Sequence, residues 1–196
     1  MRISKRIGLF AATTAGIAMI VLAAQAFAPT APYYAPVGTI RTCNVSGTAG
    51  IGGLRVTYTA LGSFQTLSNS ATLPASTTLN ASGFTGSGQS PQLGEVRLSL
   101  VPTSSTLSTI TANQSSSSLP ATGTLRFNVD LTISSQPNAI YRSNSPVEMV
   151  NSNITAWPHR DAVYGQAGTV TLTNINDRTQ TIQLSGSSAT LNGGAN

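Results

Sequence analysis

Thr124-Leu125-Arg126-Phe127-Asn128-Val129-Asp130-Leu131-Thr132-Ile133 is the stretch on which the fold class turns. Leu125, Phe127, Val129, Leu131 and Ile133 fall on one face, and Thr124, Arg126, Asn128, Asp130 and Thr132 on the other. Unbroken alternation of this kind marks a strand with one face buried and one face wet. The pattern recurs outward in both directions. Leu54, Val56, Tyr58 and Ala60 oppose Arg55, Thr57 and Thr59, and Val96, Leu98 and Leu100 oppose Arg97 and Ser99. Val170 and Leu172, then Ile182 and Leu184, flank Asn176-Asp177, a dipeptide suited to a hairpin turn. Weaker strands are predicted near 39–46, 64–73, 76–81, 105–111, 139–142 and 146–150. No stretch after residue 28 has a helical period. About ten short antiparallel strands, each with one wet face, predict an all-β, antiparallel β-sandwich, immunoglobulin-like or related. It forms a single domain over 39–191, followed by a flexible tail at 192–196. A closed membrane barrel needs aromatic girdles, and only ten aromatic residues follow residue 26.

Composition narrows the chemistry. Charged residues are 8% of the 196, against roughly 25% in ordinary soluble domains. Ser and Thr supply 52 residues, so hydroxyls carry most of the polarity. A single His excludes a multi-histidine metal site, and the lone Cys43 excludes an internal disulfide. Cys43 is expected to be buried. Lys5 is the last lysine, which removes Schiff-base and P-loop lysine chemistry from everything downstream. No cofactor motif is found. The formal net charge of +5 is concentrated in Arg2, Lys5 and Arg6; beyond residue 26, seven Arg face five acids. The arginines are scattered singly, unlike the clustered basic face of a nucleic-acid binder.

The N-terminus reads as an export signal. Met1 to Arg6 is basic, Ile7 to Ala23 is uncharged and apolar, and Ala24-Gln25-Ala26 has the small-x-small form of a cleavage site, giving a signal peptide over 1–26. An uncleaved anchor is the alternative, and it is the only membrane attachment the chain suggests. A third is a leader helix: Lys5-Arg6-Ile7-Gly8 resembles a pilin-type leader. Each alternative predicts an extracellular or cell-surface location. Residues 27–38, with three prolines, form an extended segment.

Two groups of residues are candidate sites. Trp157, Tyr164 and Tyr141, with Arg160 and Asp161 between them, form the densest aromatic group, of the kind that recognises sugars. Tyr33, Tyr34, Val37 and Ile40 are the candidate subunit contact, through strand addition at a free sheet edge. His159 lacks a nucleophile elbow, and no catalytic residue is assigned. The expectation is therefore a non-enzymatic, secreted or surface structural or adhesive protein, an extracellular filament or envelope subunit. Its partners would be other copies of itself or surface glycans, with no nucleic acid. A carbohydrate-binding module is the alternative, and a secreted hydrolase the remote third.

Overall fold

Alternating apolar and hydroxyl-bearing residues, many of them β-branched, leave the chain little choice but extended structure. The computed structural model describes residues 36–70, 74–101, 106–114, 119–155 and 162–191. The expected signal peptide (1–26), most of the Pro-rich segment and the 192–196 tail lie outside the described residues. The strands are β1 (Ile40–Ile51), β2 (Leu54–Ser70), β3 (Ser76–Ser90), β4 (Gly94–Leu100), β5 (Leu107–Ala112) and β6 (Ala121–Phe127). They continue as β7 (Val129–Ile133), β8 (Gln136–Ser143), β9 (Val147–Ile154), β10 (Ala162–Gln166), β11 (Val170–Asn174) and β12 (Thr181–Leu191). All are joined antiparallel in one sheet.

The twelve segments reduce to eight long staves. β4 and β5 both pair with β3, at Thr85–Ser90 and Ser76–Asn80 respectively, and are two halves of one stave. β6 and β7 are separated by Asn128 alone, and together they line that stave. β8 and β9 form the next stave and β10 and β11 the one after, the latter pair running along β12. The order is then a simple up-and-down meander. β12 returns to pair with β1, from Cys43 opposite Leu191 to Gly50 opposite Gln183, and the sheet closes on itself. The result is an eight-stave barrel.

This corrects the expected sandwich. Period two shows that one face of a strand is buried. It does not show whether the apolar surface opposite belongs to a second sheet or to the far wall of the same sheet. Closure brings Ser46 to Ser188, 142 residues apart, and no local pattern carries that information.

One hydrophobic cluster fills the interior and draws on every strand. Phe127 meets both Phe64 and Phe84 in it, and Leu79, Leu98, Leu125, Leu131, Met149 and Leu172 are buried in the same cluster. Bulges keep the apolar face inward along the longest staves. In β3 the register skips Ser82, so Leu79 and Ala81 before it and Phe84 after it all point inside. Gly62 lies inside β2 because a Cβ there would come within 2.6 Å of the Cys43 sulfur. On the outer face, Arg97–Glu95, Arg126–Glu148 and Arg142–Asp130 are paired. Exposed pairs of this kind contribute about 0–1 kcal/mol each.

Cys43 is buried, and desolvation pushes its thiol up to about 11 from an ordinary 9.0, against a smaller downward pull from the Gly62 backbone. Burial also raises Tyr58 and Tyr164. For each, the neutral form is favoured in the folded barrel. The contribution to stability is complete below the ordinary value and is lost as pH rises through the folded one. Unfolding free energy should therefore fall between pH 9 and pH 11. Cys43→Ala should remove part of that fall, measured by urea unfolding across the range. In the native state at neutral pH the thiol should resist an aromatic disulfide reagent and react once the chain is unfolded.

Candidate functional site

The register aligns outward-facing side chains in rows across adjacent staves. One row runs Thr190, Asn44, Leu61, Thr85, Ser99. The next runs Ser188, Ser46, Thr59, Ser87, Arg97, Thr132. Irregularities lie beside both rows. β12 carries an extra residue around Gly186, whose φ of +63° is a left-handed conformation that glycine adopts without strain. β3 carries its bulge at Ser82. Bulges bend the strand that bears them, and here the outer wall is concave. The two rows line a groove of about 900 Å³.

The chemistry of the groove follows from its residues. Eight Ser and Thr side chains line it together with Asn44, and each hydroxyl both donates and accepts. The floor is thin where Ala60 and Gly86 face inward across paired strands. A Cβ on Gly86 would collide with the Ala60 methyl and approach the Thr59 carbonyl oxygen to 2.7 Å. Leu61 is 55% exposed and gives the groove an apolar patch. Arg97 stands at one side, its Nη2 2.8 Å from the Glu95 carboxylate. That hydrogen bond, with the negative charge of Glu95, raises the Arg97 pKa and keeps the guanidinium charged. One carboxylate already bound to an arginine, among hydroxyls with no neighbouring base, suits recognition better than proton transfer. Among the described residues, no three His, Cys, Asp or Glu side chains gather as a metal site requires.

Of the residues expected to form a site, only some lie among the described residues. Trp157, His159, Arg160 and Asp161 lie outside the described residues. Tyr164 is fully buried in the core, opposite Ala189 on β12. Tyr141 is opposite Asn174, beside the β11–β12 turn, with only its hydroxyl near the surface. The two tyrosines are roughly 25 Å apart measured along β12, so the aromatic group read from the sequence is not assembled by them. Tyr33 and Tyr34 also lie outside the described residues. Val37 and Ile40 are exposed, at 64% and 57%. Ile40 pairs with Gln65 of β2, and from Cys43 onward β1 is also held by β12 on its other flank.

The groove itself was missed. Its hydroxyls sit at the parity of an ordinary wet face, and register alone makes them neighbours. Leu61 was the available signal, an apolar side chain at the polar parity between Ala60 and Gly62.

No protein-family model matches the chain, and no curated protein matches it. The fold is similar to that of DynF from the dynemicin biosynthesis pathway of Micromonospora chersina. The TM-score is 0.67 and the sequence identity 14%, over 87% of this chain and 88% of that one. The likeness is one of fold. It overturns the expected surface structural or adhesive role, which drew on a sandwich with exposed strand edges: the sheet closes on itself, in a fold similar to that of DynF.

Proposed function

We propose that the barrel binds a small organic molecule in the groove on its outer wall and does not transform it. The carrying observation is the groove's construction: about 900 Å³, within the range of ligand sites, with hydroxyls along its length, Leu61 at one point and Arg97 at another. Leu61 and Arg97 stand on β2 and β4 with β3 between them, about 10 Å apart across the sheet. A ligand with an apolar body and a polar or anionic end spans that interval. The place of DynF in a biosynthesis pathway supports a role in handling a small molecule.

Anilinonaphthalene sulfonate, an apolar body bearing an anion, is a suitable first probe. Under native conditions, with circular dichroism confirming the fold, it should bind with enhanced fluorescence. Arg97→Gln should weaken binding about fivefold and Leu61→Ser about tenfold, while Leu107→Ser, exposed and outside the groove, should leave it unchanged. Equal binding by all four proteins would overturn the assignment.

A further inference from the structure

A second concavity, of about 560 Å³, opens at the end of the barrel formed by the β1–β2, β7–β8 and β11–β12 turns. Ile51, Pro137, Ala139 and Ile182 give it apolar lining. Beside them stand the carboxamides of Gln136, Asn138, Asn174 and Gln180, from β8 and from either side of the β11–β12 turn. Among the described residues, no charged side chain lines the cavity.

Three of the four carboxamides are held by hydrogen bonds. Asp177 accepts hydrogen bonds from the Thr179 backbone N–H at 3.1 Å and hydroxyl at 2.7 Å, which hold its carboxyl below the usual range. Its other oxygen accepts from Gln180 Nε2 at 2.9 Å. That contact turns Gln180 Oε1 toward the cavity side, where it accepts from Asn174 Nδ2 at 3.0 Å and lies 3.0 Å from the Tyr141 hydroxyl. The hydroxyl is also 2.6 Å from Gln136 Oε1, so its one proton is shared between two acceptors. Asn174 Oδ1 is used by the Asn176 backbone N–H. Among the described lining residues, Gln136 has its oxygen engaged while its Nε2 is left to donate, the Asn138 side-chain amide offers both a donor and an acceptor, and the Thr181 hydroxyl is also open.

We infer that this end of the barrel is a second ligand site, taking a neutral, flat molecule that presents an adjacent acceptor and donor, such as a carboxamide or lactam edge. The acceptor meets Gln136 Nε2, the donor meets Asn138 Oδ1, and the ring lies on Ile51, Ala139 and Ile182. A network whose members orient one another keeps Gln136 in place before the ligand arrives, with Asn138 two residues further along β8. With no cation among the described lining residues, an ionised carboxylate exchanges its solvation for neutral amide N–H donors only, and its charge is left uncompensated. This site stands independently of the outer groove.

Nicotinamide is the probe, with nicotinate as its ionised counterpart, and the readout is chemical-shift perturbation on the full isotopically labelled chain. Nicotinamide should bind in the millimolar range and shift the side-chain amide signals of Gln136 and Asn138. Nicotinate should bind about tenfold more weakly. Gln136→Leu should weaken nicotinamide about fivefold. Asn138→Ala, at an exposed position that leaves the Tyr141 network untouched, should do the same and serves if Gln136→Leu does not fold. Leu107→Ser, exposed and in neither lining, should leave nicotinamide binding unchanged. Absence of shifts at saturating nicotinamide, equal binding of nicotinate, or unchanged affinity in the folded Gln136 and Asn138 variants would each overturn the inference.

Discussion

Phe127→Ala is expected to lower the free energy of unfolding by about 4 kcal/mol. The Phe127 ring is buried at the last position of β6. It stacks on Phe84 of β3 with centroids 4.7 Å apart and planes at 27°, and meets the edge of Phe64 of β2 at 6.1 Å and 69°. β2 and β3 belong to one wall of the barrel, and β6 is separated from β3 by the stave that contains β5. The three rings therefore tie one wall to the next across the core rather than packing within one pair of strands. Truncation removes the transfer free energy of the ring and both aromatic contacts, each worth about 0.5–1.5 kcal/mol beyond area. It leaves a void bordered by the Phe84 and Phe64 rings, carried on a closed sheet that has little freedom to collapse inward. Against a typical total of about 5–15 kcal/mol the loss is large. Urea unfolding measures it: the midpoint should fall while the slope stays unchanged, since the surface exposed on unfolding is nearly the same. A loss below about 1 kcal/mol would show that the aromatic cluster does not couple the walls.

Phe127 lies in the stretch most legible in the sequence. Leu125, Phe127, Val129, Leu131 and Ile133 all point inward, although β6 ends at Phe127 and β7 begins at Val129. Alternation survives the break because the two segments are one stave. Elsewhere the sequence suggested more breaks than exist. Gly62 and the Ser82-Gly83 pair resemble strand ends, yet both lie inside strands of 17 and 15 residues. Gly62 is there to make room for the Cys43 sulfur, and Ser82 is the residue the bulge skips. Glycine as a close-approach residue and glycine as a turn residue are indistinguishable without the partner strand.

The sites were less legible than the strands, for the same reason. Tyr141 and Tyr164 are close along the chain, but the stave made by β8 and β9 carries the chain to the opposite end of the barrel before β10 begins. Nearness in sequence becomes distance in space. Conversely, Asn44, Thr85 and Ser188 are far apart in sequence and adjacent in the groove. Gln136 and Gln180 are likewise joined through one tyrosine hydroxyl. Alternation reports which side of the wall a residue faces, and pairing register reports its neighbours on that side. Only the first can be read from a single chain.

Closure of the sheet can be tested by one substitution that a sandwich edge would tolerate. Ser188→Pro is expected to cost on the order of 3 kcal/mol, a lost ladder bond plus a steric conflict with the neighbouring strand. Ser188 faces outward on β12, opposite Ser46 of β1 on one side and Gly165 of β10 on the other. Its side chain contributes only an exposed hydroxyl contact, 3.2 Å from the Ser46 hydroxyl. Ser188→Ala should therefore change stability by less than about 0.5 kcal/mol, and nearly all of the proline effect comes from the backbone. Proline has no N–H to donate, and its ring needs room that a strand paired on both flanks does not have. On the last strand of an open sheet, the same substitution at a solvent-facing N–H would be close to neutral. The contrast between Ser188→Pro and Ser188→Ala thus reports whether β12 is flanked on both sides. Equal urea midpoints for the two variants would mean that β12 has a free edge and that the barrel does not close there. A proline midpoint well below that of alanine, with hydrogen exchange accelerated in β1 as well as β10, is the result that closure through β1 requires.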